Sequence, residues 1–192
     1  MKVVAFNGSA RKDGNTAILL RRVLAELEAE GIETELVQLS NKRFRGCTAC
    51  LKCAETLDNR CSGVKDDGLN ACIEKMLAAD GIIIGSPTYY ANCTATTQAL
   101  MERAGYATRN NGNPLARKVG AAVVAARRAG AIHVFDSIDH WFQISEMIVI
   151  GSSYWNIGMG REIGAVEKDE EGLLTMTNLG RNMAWALKKL NA

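Results

Sequence analysis

The sequence has little of the composition that marks several large classes of protein. Only 2 of its 192 residues are proline, and only 6% are aromatic. No apolar run approaches the roughly 20 residues that a membrane-spanning helix needs. The charges nearly cancel, with 23 basic side chains against 21 acidic ones, so no basic stripe indicates nucleic acid or an anionic membrane. These absences favour a globular domain whose partners are small molecules or other proteins.

We expect no secretory signal at the start of the sequence. The stretch MKVVAFNGSA contains a short apolar run that Asn7 and Gly8 interrupt, and this run is too short for the core of a signal peptide. We therefore expect a cytoplasmic protein. In that reducing compartment, clustered cysteines bind metal or carry out redox chemistry more often than they form structural disulfides.

The length and the apolar pattern predict one α/β domain over residues 1–192. Five short apolar runs read as strands, and helical patterns separate them. Parallel strands need such crossovers, so we expect a parallel sheet with helices on both faces. Asp66 and Asp67 are expected to cap the helix that follows a cysteine-rich insertion at about residues 45–63. The five predicted strands are KVVAF at 2–6, ETELVQ at 33–38, GIIIG at 81–85, KVGAAVVAA at 118–126 and EMIVIG at 146–151.

The loop after the first strand, NGSARKDGNT, has the composition of a phosphate cradle. Ser9, Asn15 and Thr16 offer hydroxyl and amide groups, Arg11 or Lys12 adds positive charge, and the start of a helix supplies free N–H groups. The loop is neither the G-x-G-x-x-G fingerprint nor a Walker A motif, which disfavours ATP and a dinucleotide bound in the Rossmann manner. Taken alone, it could equally be a surface turn that caps a helix.

The loops after the later strands carry aromatic and basic side chains. In SPTYYANCT, Pro87 stiffens the turn, and Tyr89 and Tyr90 place two rings where a flat aromatic ligand could bind. The alternative is that these tyrosines pack against their own helix. AARRAG offers backbone N–H groups and two arginines, and GSSYWNIGMG contributes Tyr154 and Trp155.

Four of the six cysteines lie within fifteen residues, in the pattern C-x2-C-x2-C-x7-C. They are Cys47, Cys50, Cys53 and Cys61. Soft sulfur ligands select zinc, copper(I) or iron–sulfur clusters. Structural zinc usually takes two C-x2-C pairs separated by a longer knuckle, whereas three consecutive triplet-spaced cysteines resemble cluster ligation more closely. One 4Fe-4S cluster fits the count, and zinc or reduced thiols remain the alternatives.

These motifs together resemble a known family. FNGSARKDGNT, GSPTYYANCTATTQALMER and the cysteine run before KDDG are similar to the flavodoxin-like NAD(P)H-dependent FMN reductases, and within them to the iron–sulfur flavoproteins. The resemblance implies a three-layer flavodoxin-like sandwich with strand order 2-1-3-4-5 and one FMN per subunit. It also implies that the four cysteines hold the cluster. The FMN-binding residues that it implies are Ser9, Arg11, Asn15, Thr16, Pro87, Thr88, Tyr89, Tyr90, Ala126 and Arg127, with Tyr154 and Trp155 covering the flavin.

The resemblance implies an oxidoreductase that transfers electrons from NAD(P)H or ferredoxin to a quinone, a flavin or another small acceptor. No catalytic side chain is expected, because the hydride is accepted by the N5 atom of the flavin. The alternative is a flavodoxin-like electron carrier without a small-molecule substrate, and the near-neutral charge favours the enzyme. A homodimer or homotetramer is expected, with Tyr154 and Trp155 acting within one subunit or across a contact.

Overall fold

The computed structural model of the chain describes residues 1–191. These residues form six strands and six α-helices, with a short 3-10 helix at Ala165–Lys168. The strands are β1 Lys2–Asn7, β2 Glu33–Gln38, β3 Gly81–Pro87, β4 Val119–Ala126, β5 Ile148–Val149 and β6 Ile157–Met159. The helices are α1 Asn15–Ala29, α2 Lys52–Thr56, α3 Leu69–Ala78, α4 Ala95–Arg109, α5 Ala131–Ile144 and α6 Glu170–Leu190.

The strands form one parallel sheet in the order β2-β1-β3-β4-β5, which confirms the predicted order. Successive side chains of a strand point to opposite faces of the sheet. In β1, Val4 and Phe6 accordingly join one core, while Val3 and Ala5 join the other. The first core packs against α3, α4 and α5, and the second packs against α1 and α6. The result is the three-layer arrangement that the sequence predicts.

The last edge of the sheet differs from the predicted single strand at 146–151. Only Ile148–Val149 pairs there, next to Val119 and Gly120 of β4, and the chain then leaves the sheet. It returns as β6, a sixth strand absent from the prediction, which pairs with the carboxyl-terminal part of β4. Between the two strands, Asn156 accepts a hydrogen bond from the Val124 N–H (2.9 Å) and donates its side-chain amide to the Ala122 carbonyl (3.0 Å). The middle of β4 is therefore hydrogen-bonded on this side even though no single strand runs along its whole length.

The cysteine-rich segment lies between β2 and α3 and contains the five-residue α2. The residue that caps α3 is Gly68, with φ +81°, rather than Asp66 or Asp67. Asp67 still contributes, since its Oδ1 accepts the Leu69 N–H at 3.2 Å. Within residues 1–191, no helix combines the length and the apolar character needed to cross a membrane. A single domain with an insertion at about residues 45–63 stays a prediction.

Candidate functional site

A cleft of about 630 Å³ opens at the carboxyl ends of β1, β3 and β4. This is the edge of a parallel sheet at which ligands bind in open α/β folds. Its lining includes nine of the side chains that the sequence and the resemblance assign to FMN, together with three more from β4 and the segment after β6. The lining residues are Ser9, Arg11, Asn15, Thr16, Pro87, Thr88, Tyr89, Ala125, Ala126, Arg127, Gly160 and Arg161.

The loop between β1 and α1 leaves hydrogen-bond donors facing the cleft. Gly14 precedes α1, so the described chain has no side-chain cap for the first N–H groups of this helix. Ser9 is buried, and its hydroxyl accepts the Arg11 N–H at 3.1 Å, which shapes the turn. The Thr16 hydroxyl is buried and has no hydrogen-bond partner among residues 1–191. The loop thus presents an orphaned hydroxyl and a positive helix end, the combination that binds an anion.

Asn15 has a structural role in addition to its place at the cleft. Its side-chain amide donates to the carbonyls of Gly160 and Glu162, at 2.9 Å each, and so ties the segment after β6 to the start of α1. A Cβ on Gly160 would come within 2.9 Å of that amide and within 2.6 Å of the Val166 nitrogen. This close approach explains why glycine occupies the position.

The loop after β3 contributes a second orphaned hydroxyl. Thr88 donates its N–H to the Ala125 carbonyl at 2.8 Å, while its buried Oγ1 has no partner in the described chain. A tight turn follows, in which Tyr89 and Asn92 exchange two backbone hydrogen bonds around Tyr90 and Ala91. Tyr89 lines the cleft, whereas Tyr90 has positive φ and is fully exposed at the tip of the turn.

Tyr154 and Trp155 lie at an adjacent cavity rather than in this cleft. Their rings contact each other, with centroids 4.8 Å apart, and both side chains are more than half exposed. The cavity beside them is also lined by Arg128 and Met159. Tyr154 and Trp155 therefore lie outside the lining of the cleft.

The four clustered cysteines line a single small cavity on another part of the surface. Cys47, Cys50, Cys53 and Cys61 share it with Arg103 and Tyr106 of α4. All four thiols are free, and none is fully buried. In the described part of the chain, no three His, Cys, Asp or Glu side chains are grouped closely enough to hold one metal ion. The thiols thus share a cavity without converging on a single point.

Backbone and amide donors reach these sulfur atoms. The Ala49 N–H lies 3.4 Å from Cys47 Sγ, and the Asn110 amide lies 3.7 Å from Cys53 Sγ. The Lys52 backbone N–H holds the pKa of the Cys50 thiol below its usual range. Hydrogen bonds to sulfur are one of the means by which proteins stabilise thiolate ligands and iron–sulfur clusters.

A glycine and two other cysteines complete this description. A Cβ on Gly63 would come within 2.4 Å of Cys50 Sγ, so an alanine at this position would force that thiol to move. Cys72 and Cys93 are buried elsewhere, and burial raises the pKa of both, to about 11 for Cys72. They behave as core residues.

The sequence reasoning missed the buried Arg103 beside Cys61. One signal could have indicated it, because this charged residue lies among the apolar residues Leu100, Met101, Ala104 and Ala107 on the buried face of its helix.

Comparisons with known proteins agree with this architecture. A sequence model of the family described as NADPH-dependent FMN reductase matches residues 1–162. An iron–sulfur flavoprotein of Methanocaldococcus jannaschii is 36% identical, over 98% of this chain and 98% of its own. One of Methanosarcina thermophila is 34% identical, over 98% and 96%. A solved flavodoxin from the domain Archaea has a TM-score of 0.64 at 16% identity, covering 98% of this chain and 99% of that one, and shows the shared fold. The family and fold predictions are thereby confirmed: the chain belongs to the NADPH-dependent FMN reductase family of oxidoreductases.

Proposed function

We propose that the protein transfers electrons from NAD(P)H or ferredoxin, through FMN in the cleft, to a quinone, a flavin or another small acceptor. We further propose that a 4Fe-4S cluster in the cysteine cavity takes part in this transfer. The observation that carries the proposal is the presence of two separate sites on one chain: a cleft with orphaned hydroxyls, and a cavity lined by four thiols.

The cleft fits FMN because it leaves polar groups unsatisfied where the phosphate and the ring would lie. A buried hydroxyl without a partner is destabilising. A bound ligand would supply the hydrogen-bond partner that the Thr16 and Thr88 hydroxyls lack. Thr16 and the first N–H groups of α1 would bind the phosphate, with Arg11 supplying positive charge. Thr88, with Pro87 and Tyr89, would contact the isoalloxazine ring.

Bound FMN accepts a hydride and releases electrons one or two at a time. The residues of this chain need only to bind and orient it. Arg127 lines the cleft at the end of β4, where its positive charge would favour the anionic reduced ring. Tyr90, Tyr154 and Trp155 lie outside this lining, and we assign them to the mouth, where they would cover the flavin or a second ligand.

The cysteine cavity fits a cluster by its donor set. Four thiols and no carboxylate line it, which is the ligand set of a 4Fe-4S cluster. Such a cluster exchanges single electrons when bound. Cys47, Cys50, Cys53 and Cys61 would ligate it, and the donors from Ala49 and Asn110 would favour its reduced form.

The test of both cofactors is an absorbance spectrum of protein purified without oxygen, with flavin, iron and acid-labile sulfide assayed on the same sample. We expect one FMN and about four irons per chain. Cys50→Ala should lose iron and keep FMN, whereas the matched variant Cys72→Ala, which alters a core cysteine, should keep both. Flavin without iron would refute the cluster, and a chain that binds no flavin after reconstitution would refute the whole proposal.

The electron donor requires a separate experiment. Turnover of NADH and NADPH with a quinone should be compared with reduction by ferredoxin. Turnover with either nucleotide supports the enzyme, while fast reduction by ferredoxin together with negligible nucleotide turnover would favour the alternative of a dedicated carrier. Light scattering on the same preparation tests the proposed homodimer or homotetramer, and a monomer would refute it.

A further inference from the structure

Arg103 is the largest fully buried side chain in the described part of the protein, with 1% of its surface exposed. It lies on α4, and its guanidinium borders the cysteine cavity. A buried charge is strongly destabilising unless it is paired and its hydrogen-bonding groups are satisfied. The partners of this guanidinium therefore indicate what the residue does.

All five N–H groups of a guanidinium can donate, and each of those of Arg103 has an acceptor. Nε donates to Cys61 Sγ at 3.2 Å. Nη1 donates to the Arg45 carbonyl at 3.2 Å and to Asp67 Oδ2. Nη2 donates to the Val64 carbonyl at 3.2 Å and to Asp67 Oδ1 at 3.4 Å. Every acceptor belongs to the cysteine-rich segment or to the residues just beyond it.

We propose that Arg103 is the positioning residue of the cysteine cavity, which pins both ends of the segment 45–64 to α4 and donates a hydrogen bond to Cys61. The attachment of the segment 45–64 concerns the protein without any metal. The effect of the hydrogen bond on a cluster held by Cys61 rests on the proposed function.

The geometry explains why arginine occupies this position. Arg45 precedes Cys47, and Val64 follows Cys61, so one planar group holds the two ends of the segment together. Asp67 neutralises the charge through a bidentate pair. A lysine keeps the charge, but it carries only three donors on one atom and cannot reproduce the planar fork.

Two other side chains, one on α4 and one just after it, reinforce the same attachment. Glu102 accepts the Cys47 N–H at 3.2 Å, and Asn111, just after the helix, donates to the Cys53 carbonyl at 3.0 Å. Of these contacts from α4 and the residues just after it, only the one from Arg103 reaches Cys61, and it meets the thiol, whereas Asn70 of α3 holds the Cys61 backbone. Loss of the Arg103 contact should therefore loosen the segment even while the other contacts remain.

The first experiment measures hydrogen exchange in iron-free protein for the wild type, Arg103→Lys and Arg109→Lys. Arg109 is a matched control, because it lies on the same helix and is exposed. We expect backbone amides in 45–64 to exchange about tenfold faster in Arg103→Lys, the effect of losing roughly one charged hydrogen bond. Amides of α1 and β1 should be unchanged, and Arg109→Lys should match the wild type. Equal exchange in all three proteins would overturn the proposal.

A second variant is needed because Arg103→Lys leaves a buried charge with poorer partners, which could unfold the protein. The double variant Arg103→Gln/Asp67→Asn removes both charges; Asn has the shape of Asp, and Gln is shorter than Arg but keeps a planar amide donor. It should also exchange faster in 45–64, and wild-type exchange there would likewise overturn the proposal.

The second experiment measures the reduction potential of the iron-loaded protein. A donor to a ligand sulfur stabilises the more negative, reduced state. Arg103→Lys should therefore make reduction about tenfold less favourable, a shift of ~59 mV to lower potential for one electron. An unchanged potential with full iron content would refute the hydrogen bond to Cys61 as a determinant. If the wild type binds no iron, the cluster fails, and the exchange experiment still decides the role of Arg103.

Discussion

Thr16→Val removes one hydroxyl from the cleft at almost constant shape and tests whether FMN phosphate binds at α1. The Thr16 side chain is buried, and its Oγ1 has no partner among residues 1–191. A hydrogen bond to a charged group contributes about 1.5–3 kcal/mol. Because 1.4 kcal/mol corresponds to tenfold in affinity, the Kd for FMN should rise about 10- to 150-fold.

Riboflavin lacks the phosphate, so comparing it with FMN distinguishes contacts to the phosphate from contacts to the ring. Thr16→Val should weaken FMN and leave riboflavin unchanged, whereas Thr88→Val, at the other orphaned hydroxyl, should weaken both ligands equally. Fluorescence titration of flavin-free protein measures each Kd. Thr108→Val is the control, because the Thr108 hydroxyl donates to the Ala104 carbonyl at 2.9 Å on α4, outside the cleft.

Stability provides an independent test of the same reasoning. In the flavin-free protein, an unsatisfied buried hydroxyl costs about 1–3 kcal/mol. Thr16→Val should therefore leave the free energy of unfolding in urea unchanged or raise it by roughly 1 kcal/mol. Equal weakening of FMN and riboflavin would show that Thr16 does not face the phosphate. An unchanged Kd together with lower stability would refute the orphaned hydroxyl as a ligand group.

Two further variants test other parts of the structure. Gly63→Ala would place a Cβ within 2.4 Å of Cys50 Sγ, so iron content should fall while FMN affinity stays unchanged; Gly151→Ala, whose Cβ would meet no atom within 4 Å, should keep both. Burial, and then the charge of Asp136, raise the pKa of Asp139 to about 6. The folded protein therefore keeps a proton that the unfolded chain releases between about pH 4 and 6, and stability falls as pH rises through this range. Asp139→Asn should raise the free energy of unfolding by about 1 kcal/mol at ~pH 7.5, after allowance for solvent screening, and by less at ~pH 4.5. Urea titrations at the two pH values measure this difference, and an equal effect at both would contradict the prediction.

The central strands could be predicted because local and tertiary requirements coincide there. β1, β3 and β4 are covered on both faces, so nearly every side chain is apolar and the runs are unbroken. The edge could not be predicted in the same way. The run at 146–151 has the same composition, but Asn156 takes over the hydrogen bonds of β4, and the three residues of β6 are too few to show a period.

The site residues show a similar division. Position after a strand predicted Ser9 and Thr16, and the family resemblance added Thr88; all three line the cleft. It was not enough for Tyr90, because a turn with positive φ at two successive residues carries its ring outward. Nor could the sequence show that the Asn15 amide binds the carbonyls of Gly160 and Glu162, since that contact joins segments about 145 residues apart.

The α4 helix links the two proposed sites. At its start, the Thr94 hydroxyl donates to the Gly8 carbonyl at 2.8 Å, which fixes the helix to the loop that follows β1. Nine residues later, Arg103 holds the cysteine-rich segment, at a distance along the helix of about 14 Å for 1.5 Å per residue. The buried face of α4 also packs in the first core, so the loss of one attachment should leave the helix in place.

The two sites should therefore be separable by mutation, although one helix positions both. Thr94→Val removes the bond to Gly8 and should lower FMN affinity without changing hydrogen exchange in 45–64. Arg103→Lys should have the opposite pair of effects, because its partners all lie at the cysteine end of α4. If Arg103→Lys weakened FMN as strongly as it loosened the segment 45–64, the helix would not act as a rigid support, and the two sites would be energetically coupled through it.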